Sequence, residues 1–239
     1  MLAFLKRSIA SFSLGERILF TVSATFIVAS FLIFDRENYM TLAASLIGVT
    51  SLLYNAKGNP VGQALMVIFS ILYGIISYTF DYYGEMITYL GMTMPMAVFA
   101  LISWLRHPYR SNRSEVAVNR LRAREYGLMF LAAAGVTVAF GYILAYFNTA
   151  NIIPSTISVT TSFIAVYLTF RRSPCYALGY AANDIVLIIL WILAAREDIS
   201  YLSVVICFSC FLVNDLYGFF SWKKAEKRQR NEAALPPQN

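Results

Sequence analysis

The chain has 239 residues, of which 59% are hydrophobic and only 13% charged, about half the charged fraction of a soluble globular domain. That composition excludes a soluble enzyme or binding module and calls for a polytopic membrane protein. The formal net charge of +6 does not mark a nucleic-acid binder, because the Lys and Arg residues gather in a few hydrophilic connections, as the positive-inside rule leads one to expect.

In chain order, Met1 to Gly15 lacks the clean apolar core and small-residue cleavage site of a signal peptide. Leu2, Phe4, Leu5, Ile9 and Phe12 with Lys6 and Arg7 suit a short helix lying on the membrane surface. Eight apolar segments follow, at 17–34, 39–54, 61–80, 86–105, 127–147, 152–170, 176–195 and 199–222. Each is near the roughly 20 residues that a helix needs to cross a bilayer, the second being the shortest. Lys6 and Arg7, Lys57, the long Arg106 to Arg124 stretch, Arg171-Arg172 and Lys223 to Arg230 alternate with Asp35-Arg36-Glu37, Asp81 to Glu85, Asn148 to Asn151 and Arg196-Glu197-Asp198. The basic connections all fall on one side, which predicts that both termini and the loop around His107 are cytoplasmic.

The loop from Arg106 to Glu125 is the natural seam between two halves. Before it come a span, a basic turn with proline (Lys57-Gly58-Asn59-Pro60), a span, an acidic turn, and a span ending Ser103-Trp104. After it, skipping one span, come a span, a basic turn with proline (Arg171-Arg172-Ser173-Pro174), a span, an acidic turn, and a span ending Ser221-Trp222. The two triplets run in the same direction, which is a parallel repeat about an axis along the membrane normal, with a solute site expected at the repeat interface. The expected organisation is an all-α protein with an N-terminal segment and extra helix (1–38), a first three-helix bundle (39–106), a cytoplasmic loop and linker helix (107–151), a second three-helix bundle (152–224) and a cytoplasmic tail (225–239).

Two polar pairs, Asn183-Asp184 and Asn214-Asp215, lie deep in the seventh and eighth segments. An ionisable group there costs at least about 2.5–3.5 kcal/mol at a helix centre, so the default reading is functional. Counted inward from Arg172 and Lys223, the two pairs sit at similar depth. Tyr180, Asn183, Asp184, Leu187 and Trp191 recur at three- and four-residue steps and share one helix face, as do Asn214, Tyr217, Gly218 and Ser221, with Asp215 on the flank. Such faces can hydrogen-bond a polar solute and stack on a flat one, or simply bond one helix to another. Trp191 is the deepest indole and the best stacking candidate, whereas Trp104 and Trp222, beside basic residues, read as interfacial anchors. The third segment offers Gln63, Ser70, Tyr73, Gly74, Ser77 and Tyr78. In the fourth, Pro95 within Gly91 to Met96 breaks a helix in mid-span, freeing carbonyls toward a cavity or kinking the helix for packing.

Enzymatic chemistry is poorly served. His107 is in a cytoplasmic loop, and there is no metal-spaced His or Cys cluster, Gly-rich phosphate loop or nucleophile elbow. Cys175, Cys207 and Cys210 read as packing residues, with neither a disulfide framework nor a zinc site implied. No cofactor is expected, and a membrane-embedded enzyme is the weaker class of reading.

Tyr54-Asn55-Ala56-Lys57-Gly58-Asn59, Tyr73-Gly74, Ser77-Tyr78, Tyr83-Gly84-Glu85, Gly91-Met92-Thr93-Met94-Pro95 and Asn214-Asp215-Leu216-Tyr217-Gly218 with Trp222 closely resemble the PnuC family of bacterial nicotinamide riboside transporters, over nearly the whole chain. The resemblance implies a three-plus-one-plus-three core related to SWEET sugar transporters, preceded here by one extra helix. It also implies a homotrimer in the bacterial inner membrane, and uptake of the riboside by facilitated diffusion. In SWEET proteins an asparagine on the last core helix touches substrate, and Asn214 matches it. The partner asparagine of the first half is missing, since Thr93 to Met96 occupy that depth. Nicotinamide riboside carries a cationic aromatic ring, an amide and a ribose. Trp191 with Tyr73 or Tyr217 suits the ring, Asn183 and Asn214 the amide, and Asp184, Asp215 and Gln63 the hydroxyls. Thiamine or another aromatic vitamin is the alternative substrate.

Overall fold

The computed structural model describes residues 12–79, 82–110, 112–149 and 151–234. The expected surface helix over Leu2 to Ile9 and Asp81 of the first acidic turn lie outside them. Among the described residues, eight helices are long and apolar enough to cross a membrane: α1 (Leu14–Phe34), α2 (Tyr39–Ala56), α3 (Pro60–Thr79), α4 (Tyr83–Arg106), α5 (Ala123–Tyr146), α6 (Ile152–Phe170), α7 (Tyr176–Ala194) and α8 (Leu202–Ala233).

Local chemistry sets the ends of these helices. Ser13 and Glu16 form a reciprocal capping box, which starts α1 three residues before the apolar run because two otherwise orphaned N–H groups are satisfied there. The α2–α3 and α6–α7 turns are built alike. The N–H of Asn59 donates to Tyr54 O and that of Ser173 to Leu168 O, each at 2.9 Å, the wide closing bond of a helix ended by a left-handed residue. That residue is Gly58 (φ 66°) in the first turn and Arg172 (φ 58°) in the second. Asn59 Oδ1 and Ser173 Oγ then accept from Val61 N and Cys175 N. In α4, residues Tyr89–Thr93 wind as a π-helical turn in which Met94 N–H reaches Tyr89 O. The wider turn lies directly before Pro95, whose ring carries no N–H to continue the helical ladder.

Six helices close a ring. α2 packs on α3 and α3 on α4, α6 packs on α7 and α7 on α8, and the halves meet where α2 contacts α8 and α4 contacts α6. This packing order maps onto itself when α2, α3 and α4 are exchanged for α6, α7 and α8. α6 and α7 come close at Gly179, where an added Cβ would stand 2.8 Å from Ala165 Cα. Outside the ring, α1 lies against α2 and α8, and α5 against α6.

Two regions depart from the expectation. The Arg106 to Glu125 connection contains an antiparallel hairpin, β1 (Pro108–Tyr109) with β2 (Asn112–Val116). It is tied down at both basic turns: Val116 N–H donates to Gly58 O at 2.9 Å and Asn119 N–H to Arg172 O at 3.0 Å. The presumed tail from residue 225 is instead helical as far as Ala233. Good helix formers run through it, and its side chains hold the connection: Gln229 bonds Val116 O and Val118 N, Glu226 pairs with Arg120 at 2.5 Å, and Arg228 pairs with Glu115. Burial beside Arg171 pulls the Arg172 guanidinium below its ordinary pKa.

Candidate functional site

At the centre of the ring lies a cavity of about 20 Å³, room for about one water molecule. α7 contributes Tyr180, Asn183 and Asp184, and α8 contributes Phe208, Phe211 and Asp215. α6 adds Ser162, α4 adds Tyr89 and Thr93 from its π-helical turn, and α2 and α3 supply Leu52, Met66 and Phe69. Asp184 and Asp215, each 3% exposed, are hydrogen-bond neighbours across the α7–α8 contact. Asp184 Oδ2 has no hydrogen-bond partner in the protein. The lining holds two carboxyl groups and no Lys, Arg or His. Chemically this is a cation-accepting chamber with hydroxyls and aromatic rings around it.

An aromatic layer closes the chamber on each side. Toward the acidic end, Trp191 Nε1 donates to Tyr73 OH at 2.7 Å. Tyr82 and Tyr201 lie 4.9 and 5.5 Å from Trp191 between ring centroids, and Tyr89 lies 4.3 Å from Tyr73. Burial, helped by Tyr201 and Glu197, pushes the Tyr82 phenol up to about 12. Toward the basic end, Trp222 meets Trp104 in a tilted contact and Tyr176 edge to face, at 5.4 and 4.9 Å between ring centroids. Trp104 and Trp222 are 0% and 1% exposed, so they are not interfacial anchors. Below Trp222 opens a cavity of about 500 Å³, lined by Glu16, Lys57, Glu115, Lys224 and Arg228 among others.

Of the residues singled out in the sequence, Asn183, Asp184 and Asp215 meet at the chamber, and Trp191 and Tyr73 meet one layer above it. Asn183 Oδ1 accepts from Thr161 Oγ1 and Ser162 Oγ, each at 2.9 Å. Asn214 turns away toward α1, donating to Ser23 Oγ at 2.9 Å and Cys210 O at 2.8 Å. Tyr217 follows it, its hydroxyl donating to Glu16 Oε1 at 3.2 Å. Gln63 lies toward the basic end, where it donates to Asn55 Oδ1 at 2.8 Å.

Sequence reasoning missed Thr161 and Ser162, whose signal was a Ser/Thr-rich α6 with Ser155, Ser158 and Ser162 on one buried face. It also left Glu85 as part of an acidic turn, although Glu85 is 1% exposed. Among the described residues no group of three or more His, Cys, Asp or Glu could hold a metal ion.

A family model described as nicotinamide mononucleotide transporter matches residues 38–224. The chain is 25% identical to a nicotinamide riboside transporter PnuC of Neisseria mucosa, over 84% of this chain and 78% of that protein. It is 22% identical to a nicotinamide riboside transporter PnuC of Haemophilus influenzae, over 80% and 82%. The fold matches a crystal structure of the vitamin B3 transporter PnuC with a TM-score of 0.82 at 22% identity, over 96% of this chain and 99% of that one.

Proposed function

Since the chain belongs to the nicotinamide mononucleotide transporter family, the PnuC family of membrane transporters, we propose that its own substrate is nicotinamide riboside and not the mononucleotide. The observation that carries this reading is the charge of the central chamber: Asp184 and Asp215 without a basic side chain in the lining. Riboside and mononucleotide share the cationic ring, but the mononucleotide adds a phosphate of about −1.5 to −2 charge. Placing that phosphate beside a hydrogen-bonded carboxyl pair, which shares one proton and keeps one negative charge, is opposed by like-charge repulsion in a low-dielectric site. A cation with no phosphate meets the opposite field. The relatives' names agree with the riboside.

In this reading Asp184 and Asp215 face the pyridinium charge, Asn183 with Ser162 takes the amide or ribose, and the Trp191–Tyr73 pair offers the stacking face when the acidic-end layer opens. Asn214, Tyr217 and Gln63 reach substrate only after α8 or α3 turns. The packing order that maps onto itself supports a three-plus-one-plus-three repeat, and the alternation of basic and acidic connections supports an inner-membrane protein with both termini cytoplasmic. The outward apolar face of α5, with Leu131, Tyr142 and Tyr146 more than two-thirds exposed, suits lipid or the neighbouring subunit of a trimer.

Calorimetry on the purified protein against nicotinamide riboside, its mononucleotide, nicotinamide and thiamine tests the proposal. The riboside should bind most tightly and the mononucleotide at least about a hundredfold more weakly, or roughly 2.7 kcal/mol. Equal affinity for the mononucleotide overturns the assignment, and preferential binding of thiamine moves it to the other vitamin.

A further inference from the structure

Glu85 opens a second polar site, separate from the central chamber. It stands in the first turn of α4, 1% exposed, and its Oε2 has no hydrogen-bond partner. Ser158 of α6, fully buried, is its side-chain hydrogen-bond neighbour. On α3, Ser77 is likewise buried and unpartnered, at the same distance from the α3–α4 turn as Glu85. Deeper along the same helices, Ser70 Oγ and Thr93 Oγ1 are also without partners, at the level of Asp184. Ser70 and Ser77 flank Gly74, whose missing Cβ admits Leu90 of α4, so this stripe of α3 faces α4.

Leaving a buried polar group unsatisfied costs about 1–3 kcal/mol, more for a charged one, and buried polar groups in folded proteins are normally paired. Here Glu85 Oε2, Ser77, Ser70 and Thr93 are left unpaired on the facing helices α3 and α4, Glu85 and Ser77 near the acidic end and Thr93 in the chamber lining. Helix packing alone gives no reason to retain them, and a solute that supplies hydroxyls and positive charge satisfies them. We propose that Glu85 and Ser158 form an outer staging site that holds a polar organic cation between the acidic-end aromatic layer and the Asp184–Asp215 chamber. The site's preference for a cation follows from Glu85 itself, and its assignment to nicotinamide riboside rests on the function proposed above.

The experiment uses the full chain with Cys175, Cys207 and Cys210 replaced by serine and Ser158→Cys added, in intact cells. A membrane-impermeant cationic thiol reagent should label position 158 from outside at least about tenfold faster than an anionic reagent of similar size. Glu85→Gln, which keeps the shape and removes the charge, should erase that ratio. This readout involves no substrate, so it stands or falls independently of the riboside assignment. Nicotinamide riboside should slow the labelling, and should still do so in an Asp215→Asn background where the central chamber is weakened. Should position 158 be unreachable from outside, or label at the same charge ratio with and without Glu85, there is no staging site. Should the charge ratio behave as expected while the riboside fails to protect, the site stands and the substrate assignment falls. In a protein without a cysteine at 158, Glu85→Gln should also lower uptake of the cationic riboside at least about fivefold relative to its neutral 1,4-dihydro form.

Discussion

Trp104 in α4 and Trp222 in α8 lie 5.4 Å apart, and each donates its indole N–H to a carbonyl near the C-terminal end of a helix in the opposite half of the ring. Trp104 reaches Thr169 O at 2.9 Å, and Trp222 reaches Asn55 O at 2.7 Å. The last carbonyls of a helix have no partner within it, so each indole supplies a donor and a ring to pack in one side chain. Ser103 Oγ adds a third bond across the same contact, to Phe170 O at 3.0 Å. The halves are therefore pinned together on the basic side.

Replacing either tryptophan by phenylalanine keeps most of the packing and removes one of the bonds to a buried carbonyl, since Asn55 O also accepts from Gly58 N–H and Thr169 O from Arg172 N–H, each at 2.9 Å. The expected loss is about 0.5–1.5 kcal/mol for each single variant, the net worth of one hydrogen bond. Because the two rings touch, the Trp104→Phe, Trp222→Phe double variant should differ from the sum of the singles by about 0.5 kcal/mol or more. Thermal unfolding in detergent of all four proteins measures this. Additive shifts in Tm would show that the pair does not act as one unit.

The eight spans and the depth of the polar pairs were legible in the sequence because bilayer thickness imposes length and hydrophobicity directly. The rotation of each helix was less legible. Asn214 and Asp215 are chain neighbours and so point about 100° apart, and which of them faces the chamber depends on Ser23 of α1, 191 positions away in sequence. The tryptophans misled for a related reason: a Trp beside Lys or Arg marks the interface in most spans, but the docked hairpin and the extended α8 cover this interface with protein. The π-helical turn was foreshadowed by Pro95, whereas the width it gives to the chamber wall was not.

That rotation separates two kinds of effect. Asp184→Asn and Asp215→Asn should each weaken riboside binding, since losing a charged partner costs about 1.5–3 kcal/mol, or roughly one to two decades in Kd. Asn214→Ala breaks the bond to Ser23 and should cost about 1 kcal/mol of stability while moving Kd by less than about threefold. Calorimetry and thermal unfolding on the same preparations separate the two. A loss of affinity in Asn214→Ala matching that in Asp215→Asn would place the asparagine at the substrate.

The alternation of connection charge predicts the topology. In a protein lacking native thiols, a cysteine at Glu197 should react with an impermeant reagent applied outside intact cells, and a cysteine at Ala234 only after the membrane is opened. Both positions are exposed, so failure to react cannot be ascribed to burial. The reverse pattern would invert the protein in the membrane.

Transport should need no ion gradient. A carrier that moves a proton with its substrate must change the protonation of some group during the cycle, most often a buried carboxyl or histidine near the substrate. The described spans contain no histidine, and in the chamber this role could fall only to Asp184 or Asp215. If one carboxylate stays ionised throughout as counter-charge to the ring, the cation is the only charge that moves and no proton accompanies it. Membrane potential must be removed from the measurement, because it alone draws a monocation inward by about 2.3 kcal/mol per 100 mV. In proteoliposomes clamped at zero potential, radiolabelled riboside should therefore rise inside only to the external concentration. An imposed pH or sodium gradient should leave that level unchanged. A plateau lifted above the external concentration by a pH gradient under the clamp would instead make a buried carboxyl group a proton-exchange site, and whichever of Asp215→Asn and Glu85→Gln returned the plateau to equality would identify it.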